Sequence, residues 1–181
     1  MALPLFVTSN LSKLAEAEAI MGMELSNVSV DIKEIQSLDP MAVAMDKAAR
    51  AYAHVNKPLF VEDTGLFFNA LNGFPGAFIK WAYDSIGTDG LCRILDAFDD
   101  RTAYVKVAVC FCDESGIKPF IGKTTGTITA KPRGPEGFGW NPIFVPDGST
   151  RTMAELSRDS QTPLPARAEA LLKLKEYLSV H

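Results

Sequence analysis

The chain has 181 residues, of which 47% are hydrophobic and 22% are charged, and its formal net charge is −4. These values are typical of a soluble globular protein, and the length predicts a single domain over residues 1–181. The negative charge argues against binding to DNA or RNA polymers, which favour a basic surface. No stretch has the pattern of a membrane span or a signal peptide, so we expect no membrane partner and a cytoplasmic location.

The first predicted elements are a strand and a helix. An apolar run predicts a strand over Leu3–Val7, and helical spacing predicts a helix over Leu11–Met21 that stops at Gly22. The intervening Thr8-Ser9-Asn10 are typical helix-capping residues. Lys13 lies in the first helical turn, where a cation opposes the helix dipole. Either Lys13 and the helix N-terminus hold an anion together, or Lys13 is an ordinary surface lysine.

A second strand and helix follow. The strand is predicted over Val28–Ile32, and Glu34 lies just beyond it. Asp39-Pro40 is a favoured pair of residues for opening a helix, which we expect to run through Asn56.

Two adjacent acids, Glu62 and Asp63, follow the apolar run Leu59–Val61 and precede Thr64-Gly65. We interpret the run as a buried strand that ends at these acids. Because ligands of open α/β sheets lie beyond the carboxyl ends of strands, the acids predict a site, with a metal ion. The alternative is an Asp-x-Gly turn that only caps the strand.

The second half of the chain is predicted to contain a long hairpin and several helices. The predicted elements are a strand continuation at Phe67–Leu71, helices at Ala77–Tyr83, Thr88–Leu95 and Leu164–Val180, strands at Ala103–Cys112 and Lys118–Thr129, and a helical turn at Thr152–Leu156. Gly122 and Gly126 predict β-bulges in the second long strand. The loop Pro132–Pro146 carries Phe138 and Trp140, which either stack on a planar base or anchor the loop.

The chemistry available is that of carboxylates rather than of histidine. With only His54 and His181 in the chain, catalysis by a histidine base or by zinc is poorly supported. The carboxylates of Glu34, Glu62 and Asp63 are oxygen ligands that suit Mg²⁺ or Mn²⁺. Together with scattered cations and the aromatic loop, they predict phosphoryl transfer from a nucleoside triphosphate to water.

Three ordered motifs resemble the inosine triphosphate pyrophosphatase family, which hydrolyses non-canonical purine triphosphates to monophosphate and pyrophosphate. The motifs are Thr8–Lys13, similar to the family's phosphate-binding opening; Glu62–Leu66 with Asn69–Gly76, similar to its central signature; and Arg133-Gly134, Gly137–Trp140 and Pro142–Phe144, similar to its base-binding loop. The resemblance spans nearly the whole chain.

The resemblance implies a mixed α/β fold, in which a long twisted β-sheet with flanking helices forms two lobes around a central cleft, usually in a homodimer. It implies that Glu34 and Asp63 bind Mg²⁺, with Mn²⁺ as an alternative, and that Asp63 is also the base for the attacking water. The implied substrate is a purine nucleoside triphosphate. The implied substrate-binding residues are Thr8, Ser9, Asn10, Lys13, Lys47, Thr64, Lys80, Phe138, Gly139, Trp140, Asn141 and Arg167.

Several positions that grip the purine in the family are different here. Asn141 stands where the family usually has aspartate, Gln161 stands at its lysine, and Pro165-Ala166 replaces the first two residues of its Ser-His-Arg motif, of which Arg167 remains. A shifted loop would instead bring Arg158 to the lysine position. An amide both donates and accepts hydrogen bonds, so Asn141 could also pair with a 6-amino purine. One bidentate pair is worth roughly 1–3 kcal/mol of base discrimination.

Three functions are therefore considered. The first is a Mg²⁺-dependent pyrophosphohydrolase of non-canonical purine triphosphates such as ITP, dITP and XTP. The second is the same chemistry retuned to a different modified purine nucleotide. The third is a nucleotide-binding relative with little turnover.

Overall fold

The structure is a computed structural model that describes residues 3–135, 139–160 and 163–180. The strands in these ranges are β1 (Leu5–Val7), β2 (Asn27–Val28), β3 (Leu59–Phe68), β4 (Pro75–Gly76), β5 (Thr102–Asp113), β6 (Gly116–Ile128) and β7 (Phe144–Pro146). The helices are α1 (Leu11–Met21), α2 (Pro40–Val55), α3 (Ile79–Arg93), α4 (Met153–Ser160) and α5 (Pro165–Val180), with short 3₁₀ turns at Asn69–Leu71 and Asn141–Ile143.

All the strands belong to one mixed sheet in the order β2-β1-β3-β5-β6-β7, and β4 pairs with β3 beside this path. Strand β1 is parallel to both β2 and β3, whereas the other pairs are antiparallel. The predicted mixed α/β fold, with a long sheet and flanking helices, is confirmed. None of the described helices combines the length and the apolar character that crossing a membrane requires.

The prediction that β3 ends at Glu62 and Asp63 is wrong. The strand continues to Phe68, because each of its residues, from Leu59 opposite Cys112 to Phe68 opposite Ala103, pairs with β5. Thr64-Gly65 is therefore part of the strand and is not a turn. Both acids lie in the middle of a ten-residue strand, at the point where the sheet borders a cleft.

The predicted bulges at Gly122 and Gly126 are also wrong. The β5–β6 ladder has unbroken register, with Gly122 opposite Val107 and Gly126 opposite Ala103. A Cβ atom on Gly122 would lie 1.8 Å from the carbonyl oxygen of Ala166, so glycine is needed here because the start of α5 packs directly on the sheet. Gly122 is therefore explained by close packing against α5 and not by a bulge in the ladder.

The bounds of other predicted elements need smaller corrections. The second strand, predicted over Val28–Ile32, is only Asn27–Val28 long. The two helices predicted after residue 77 are joined as α3, whose backbone departs from helical geometry at Gly87 (φ 65°, ψ −176°). The predicted caps are confirmed: the Asp39 carboxylate accepts a hydrogen bond from the Met41 N–H at 3.0 Å.

The sheet separates two apolar cores, and β3 contributes to both. Phe60, Leu66 and Phe68 belong to the core packed against α1, α3 and α5, whereas Leu59 and Val61 belong to the core packed against α2. This is the alternation expected of a strand buried on both faces. The same period of two places Glu62 on the α1/α5 face and Asp63 on the α2 face.

Candidate active site

A cleft of about 920 Å³ lies beside the central strand, and its lining comes from the start of α1, the middle of β3, α2, α3 and the turn at residue 139. Nearly all the residues that the sequence predicts for the site line this one cleft. They are Thr8, Ser9, Asn10, Lys13, Glu34, Lys47, Asp63, Thr64, Lys80, Gly139, Trp140, Asn141 and Arg167. The remaining one, Phe138, lies outside the described residues, as does Gln161.

The N-terminus of α1 is capped by its own sequence. The Asn10 side-chain oxygen accepts hydrogen bonds from the N–H groups of Ser12 and Lys13, at 3.0 and 3.1 Å. The Thr8 hydroxyl in turn accepts a hydrogen bond from the Asn10 N–H at 3.0 Å. The N–H groups of Ser12 and Lys13 are therefore already satisfied by the Asn10 side chain. In this arrangement they are not available as donors to the anion considered from the sequence. The Lys13 ammonium lies 3.1 Å from Glu62.

Glu62 is a buried carboxylate with two cationic partners. The Arg167 guanidinium donates to both of its oxygens, from Nε at 2.9 Å and from Nη2 at 3.0 Å, and Lys13 approaches from α1. Arg167 also pairs with Glu16 of α1. Although burial alone would raise the pKa of Glu62, the charges of Lys13 and Arg167 outweigh it and lower that pKa to about 2. Glu62 is therefore an anion at all physiological pH values, and it ties α1, β3 and α5 together.

The environment of the Asp63 carboxylate is the opposite of that of Glu62. One of its side-chain oxygens, Oδ2, is buried without a hydrogen-bond partner among the described residues. The pKa of Asp63 is raised to about 7, chiefly by burial and also by the charges of Glu34 and Glu62, against the opposing effects of Lys13 and Lys47. An unpaired buried polar atom is costly in a folded protein, so this oxygen, which borders the cleft, is a candidate contact for a bound group.

The other two predicted lysines are also paired with carboxylates. Lys47 of α2 lies 2.5 Å from Glu34, which belongs to the segment between β2 and α2. Lys80 lies 2.5 Å from Asp84, one turn further along α3, and both side chains are well exposed. The lysines in the described lining of the cleft are thus each paired with a carboxylate.

Trp140 and Asn141 also line the cleft. The Trp140 ring packs edge-on against Phe144, with ring centroids 5.9 Å apart, so the loop anchor considered from the sequence is present. Asn141 begins the 3₁₀ turn after Trp140 and is partly buried. Ser157 of α4 lines the same cleft, and its hydroxyl donates to the Met153 carbonyl at 2.8 Å. The Arg158 side chain lies outside the described part of the chain.

Sequence reasoning missed Glu16, Asp84 and Ser157 as cleft residues. For Glu16 a signal existed, because residues three apart on a helix share a face and Glu16 follows Lys13 by three. Its partner Arg167 is 151 positions away in sequence, so that contact could not be read from local spacing.

The donor set around Asp63 fits a Mg²⁺ ion. Glu34 and Asp63 both line the cleft and influence one another electrostatically, and Asp63 has the unpartnered oxygen. The described residues contain no cluster of three or more His, Cys, Asp or Glu side chains suited to a metal. This is compatible with Mg²⁺, which is commonly bound through one or two carboxylates, with substrate phosphates and waters as its other ligands.

Comparison with known proteins places the chain in a family. The model of the Ham1 family matches residues 4–177. The chain belongs to the Ham1 family. It is 42% identical to a protein of Aspergillus fumigatus named inosine triphosphate pyrophosphatase, over 96% of this chain and 92% of that protein. A protein of the same name from Yarrowia lipolytica is 41% identical over 96% and 94%, so the resemblance inferred from the motifs is confirmed.

Solved structures of the family have the same fold. The Staphylococcus aureus Ham1 protein superposes with a TM-score of 0.84 at 25% identity, covering 97% of both chains. A HAM1 protein from Coxiella burnetii gives the same TM-score at 28% identity, with complete coverage of both chains.

Proposed function

We propose that this Ham1-family chain hydrolyses non-canonical purine nucleoside triphosphates, such as ITP, dITP and XTP, to the monophosphate and pyrophosphate. One observation carries the proposal: the buried carboxylate of Asp63 has an oxygen without a partner among the described residues. This oxygen lies in a cleft that also contains Glu34 and several lysines. The proposal is supported by the relatives named inosine triphosphate pyrophosphatase over almost the full chain.

In this reaction water adds to a phosphoryl group, the anhydride bond to pyrophosphate breaks, and Asp63 accepts the proton of the water. Without a metal, burial raises the pKa of Asp63 to about 7, and a bound cation would lower it, so the assignment as base rests on the Asp63 oxygen that has no partner among the described residues. Glu34 and Asp63 would hold Mg²⁺, which when bound neutralises charge that develops on the phosphate oxygens. Mn²⁺ is the alternative metal.

The remaining residues would hold the substrate. We assign the phosphates to Lys13, Lys47 and Lys80, together with Thr8, Ser9, Asn10 and Thr64, which line the same cleft. Arg167 is buried and forms ion pairs with Glu62 and Glu16, so we assign it the task of fixing the position of Glu62. Glu62 in turn holds Lys13 where the triphosphate would bind.

The purine would bind beside Gly139, Trp140 and Asn141, with Phe138 as a further predicted neighbour. Asn141 supports a second candidate function, which is the same hydrolysis retuned to another modified purine. Its amide can pair with a 6-oxo purine or with a 6-amino purine, whereas an aspartate would favour a base with an N1–H donor. We further propose a homodimer in the cytoplasm that acts on free nucleotides, since the net charge of −4 disfavours nucleic-acid polymers.

The test is pyrophosphate release from ITP, XTP, dITP, ATP and modified-purine triphosphates, with Mg²⁺ or with a chelator. The first function predicts release from the 6-oxo purines that exceeds release from ATP and stops with the chelator. Equal rates on ATP and ITP would instead support the retuned function. Nucleotide binding without turnover on any substrate would overturn both and leave the non-catalytic relative. Replacing Asn141 by Asp is expected to shift the ITP-to-ATP preference by roughly 1–3 kcal/mol towards ITP.

A further inference from the structure

Each cation in the described lining of the cleft is paired with a carboxylate. Lys13 pairs with Glu62, Lys47 with Glu34, Lys80 with Asp84, and Arg167 with Glu62 and Glu16. The free cleft therefore has little uncompensated positive charge, whereas a triphosphate is strongly anionic. A lysine that turns fully to a phosphate leaves its carboxylate behind, and the free-energy cost of leaving depends on what else that carboxylate contacts.

Lys13 and Lys47 differ in the free-energy cost of leaving their carboxylates. When Lys13 moves towards a phosphate, Glu62 keeps both hydrogen bonds to the Arg167 guanidinium, whose charge it shares with Glu16. When Lys47 moves, Glu34 loses the cation with which it pairs among the described residues. Glu34 would then face Asp63 as a second uncompensated carboxylate, and the two repel each other. The turn of Lys47 to phosphate is thus favoured when another cation takes its place on Glu34.

We propose that Lys47 exchanges partners: in the free protein it occupies Glu34, and it moves to the triphosphate when Mg²⁺ binds to Glu34. This inference rests on the proposed function and adds a role for the Lys47–Glu34 pair. It implies that the cleft binds the metal and the nucleotide cooperatively. Mg²⁺ on Glu34 releases Lys47 for the triphosphate, and the triphosphate, by attracting Lys47, frees Glu34 for Mg²⁺. Glu34 is about half exposed, with a side-chain exposure of 47%, so the exchange requires no opening of the core.

The first test measures binding of Mg²⁺ alone by calorimetry, without nucleotide. Lys47→Met removes the cation that competes for Glu34, so Mg²⁺ should bind on the order of tenfold more tightly, within the usual range of coupling between sites. Lys80→Met is the matched control, because it removes a cation of the same cleft that pairs with Asp84 and not with Glu34. An equal tightening in both variants would show a general field effect and would overturn the exchange.

The second test measures binding of a non-hydrolysable ITP analogue with an α,β-methylene bridge, at saturating Mg²⁺. Lys47→Met should weaken this binding although it strengthens Mg²⁺ binding, and Lys47→Arg should restore both affinities towards wild-type values. Opposite signs for metal and nucleotide are not expected from a loss of packing or of folding. If Lys47→Met weakens or leaves unchanged the binding of Mg²⁺ alone, the inference is wrong.

The same measurements separate this inference from the proposed function. If the wild-type protein binds the analogue and releases pyrophosphate from ITP, but the affinity for the analogue is the same with Mg²⁺ and with chelator, only the exchange is overturned. If the wild-type protein binds no nucleotide under either condition, the proposed function and the exchange are overturned together.

Discussion

Glu62 and Asp63 are adjacent on β3, yet their environments are opposite. Glu62 faces α1 and α5, where Lys13 and Arg167 satisfy its charge and lower its pKa to about 2. Asp63 faces α2 and has a buried oxygen without a partner among the described residues, and burial raises its pKa to about 7. Since both belong to one rigid strand, the comparison isolates the effect of the partners on each face of the sheet. It indicates that the protein uses Glu62 to hold the cleft together and leaves Asp63 available for chemistry.

The largest effect is expected from Asp63→Asn on turnover. Loss of a general base typically lowers a rate by roughly 10²–10⁴-fold, and the loss of a metal-binding carboxylate adds to this. Pyrophosphate release from ITP with Mg²⁺ measures it, and circular dichroism checks that folding is intact. Asp46→Asn, the same change at a residue of α2 that pairs with Arg50 and does not line the cleft, is the control with expected wild-type activity. Full activity of Asp63→Asn would refute its assignment as the base.

A smaller effect, on stability, is expected from Arg167→Met. Removing one partner of a buried ion pair leaves an uncompensated charge and typically costs about 3–5 kcal/mol. The free energy of unfolding in urea measures the loss, and the double variant with Glu62→Gln should recover much of it. Lys173→Met on the same helix breaks an exposed pair with Glu169 and should cost less than about 1 kcal/mol. Similar losses in Arg167→Met and Lys173→Met would contradict the special role of the buried pair.

The acid sensitivity of folding should also depend on Glu62. Its pKa is lower in the folded protein than in the unfolded chain, so it stabilises the fold fully above about pH 4.5, its unfolded value. That contribution is lost as the pH falls towards 2. Urea unfolding in chelator between pH 5 and pH 2.5 should therefore show a steeper loss of stability for wild type than for Glu62→Gln. Parallel curves would mean that the Glu62 carboxylate is not preferentially charged in the fold.

The smallest effect is expected from Asp63→Asn on stability, and its sign should be reversed. A buried carboxylate without a partner costs free energy, and a neutral amide of the same size removes most of that cost. In chelator at pH 8, the variant should be as stable as wild type or about 1 kcal/mol more stable. Urea unfolding of the two proteins measures this difference. A loss of stability similar to that of Arg167→Met would show that Asp63 is as tightly paired as Glu62.

The amino-acid sequence by itself determined the local elements and the identity of the chemical groups. Capping residues such as Asn10 and Asp39 set the starts of α1 and α2, because a helix start depends on the first few side chains. The ordered motifs around Lys13, Asp63 and Trp140 were sufficient to identify the family. Almost all the predicted residues then lie in one cleft, although their individual roles stay predictions.

Only the tertiary structure decided which partners those groups have. Glu62 and Asp63 resemble a strand end in the sequence, but pairing with β5 carries the strand to Phe68 and turns the two acids to opposite faces. The partners of Glu62 come from residues 13 and 167, and the carbonyl that requires Gly122 comes from Ala166. The physical reason is that burial and charge pairing depend on contacts between residues distant in sequence, which no local pattern of β3 contains.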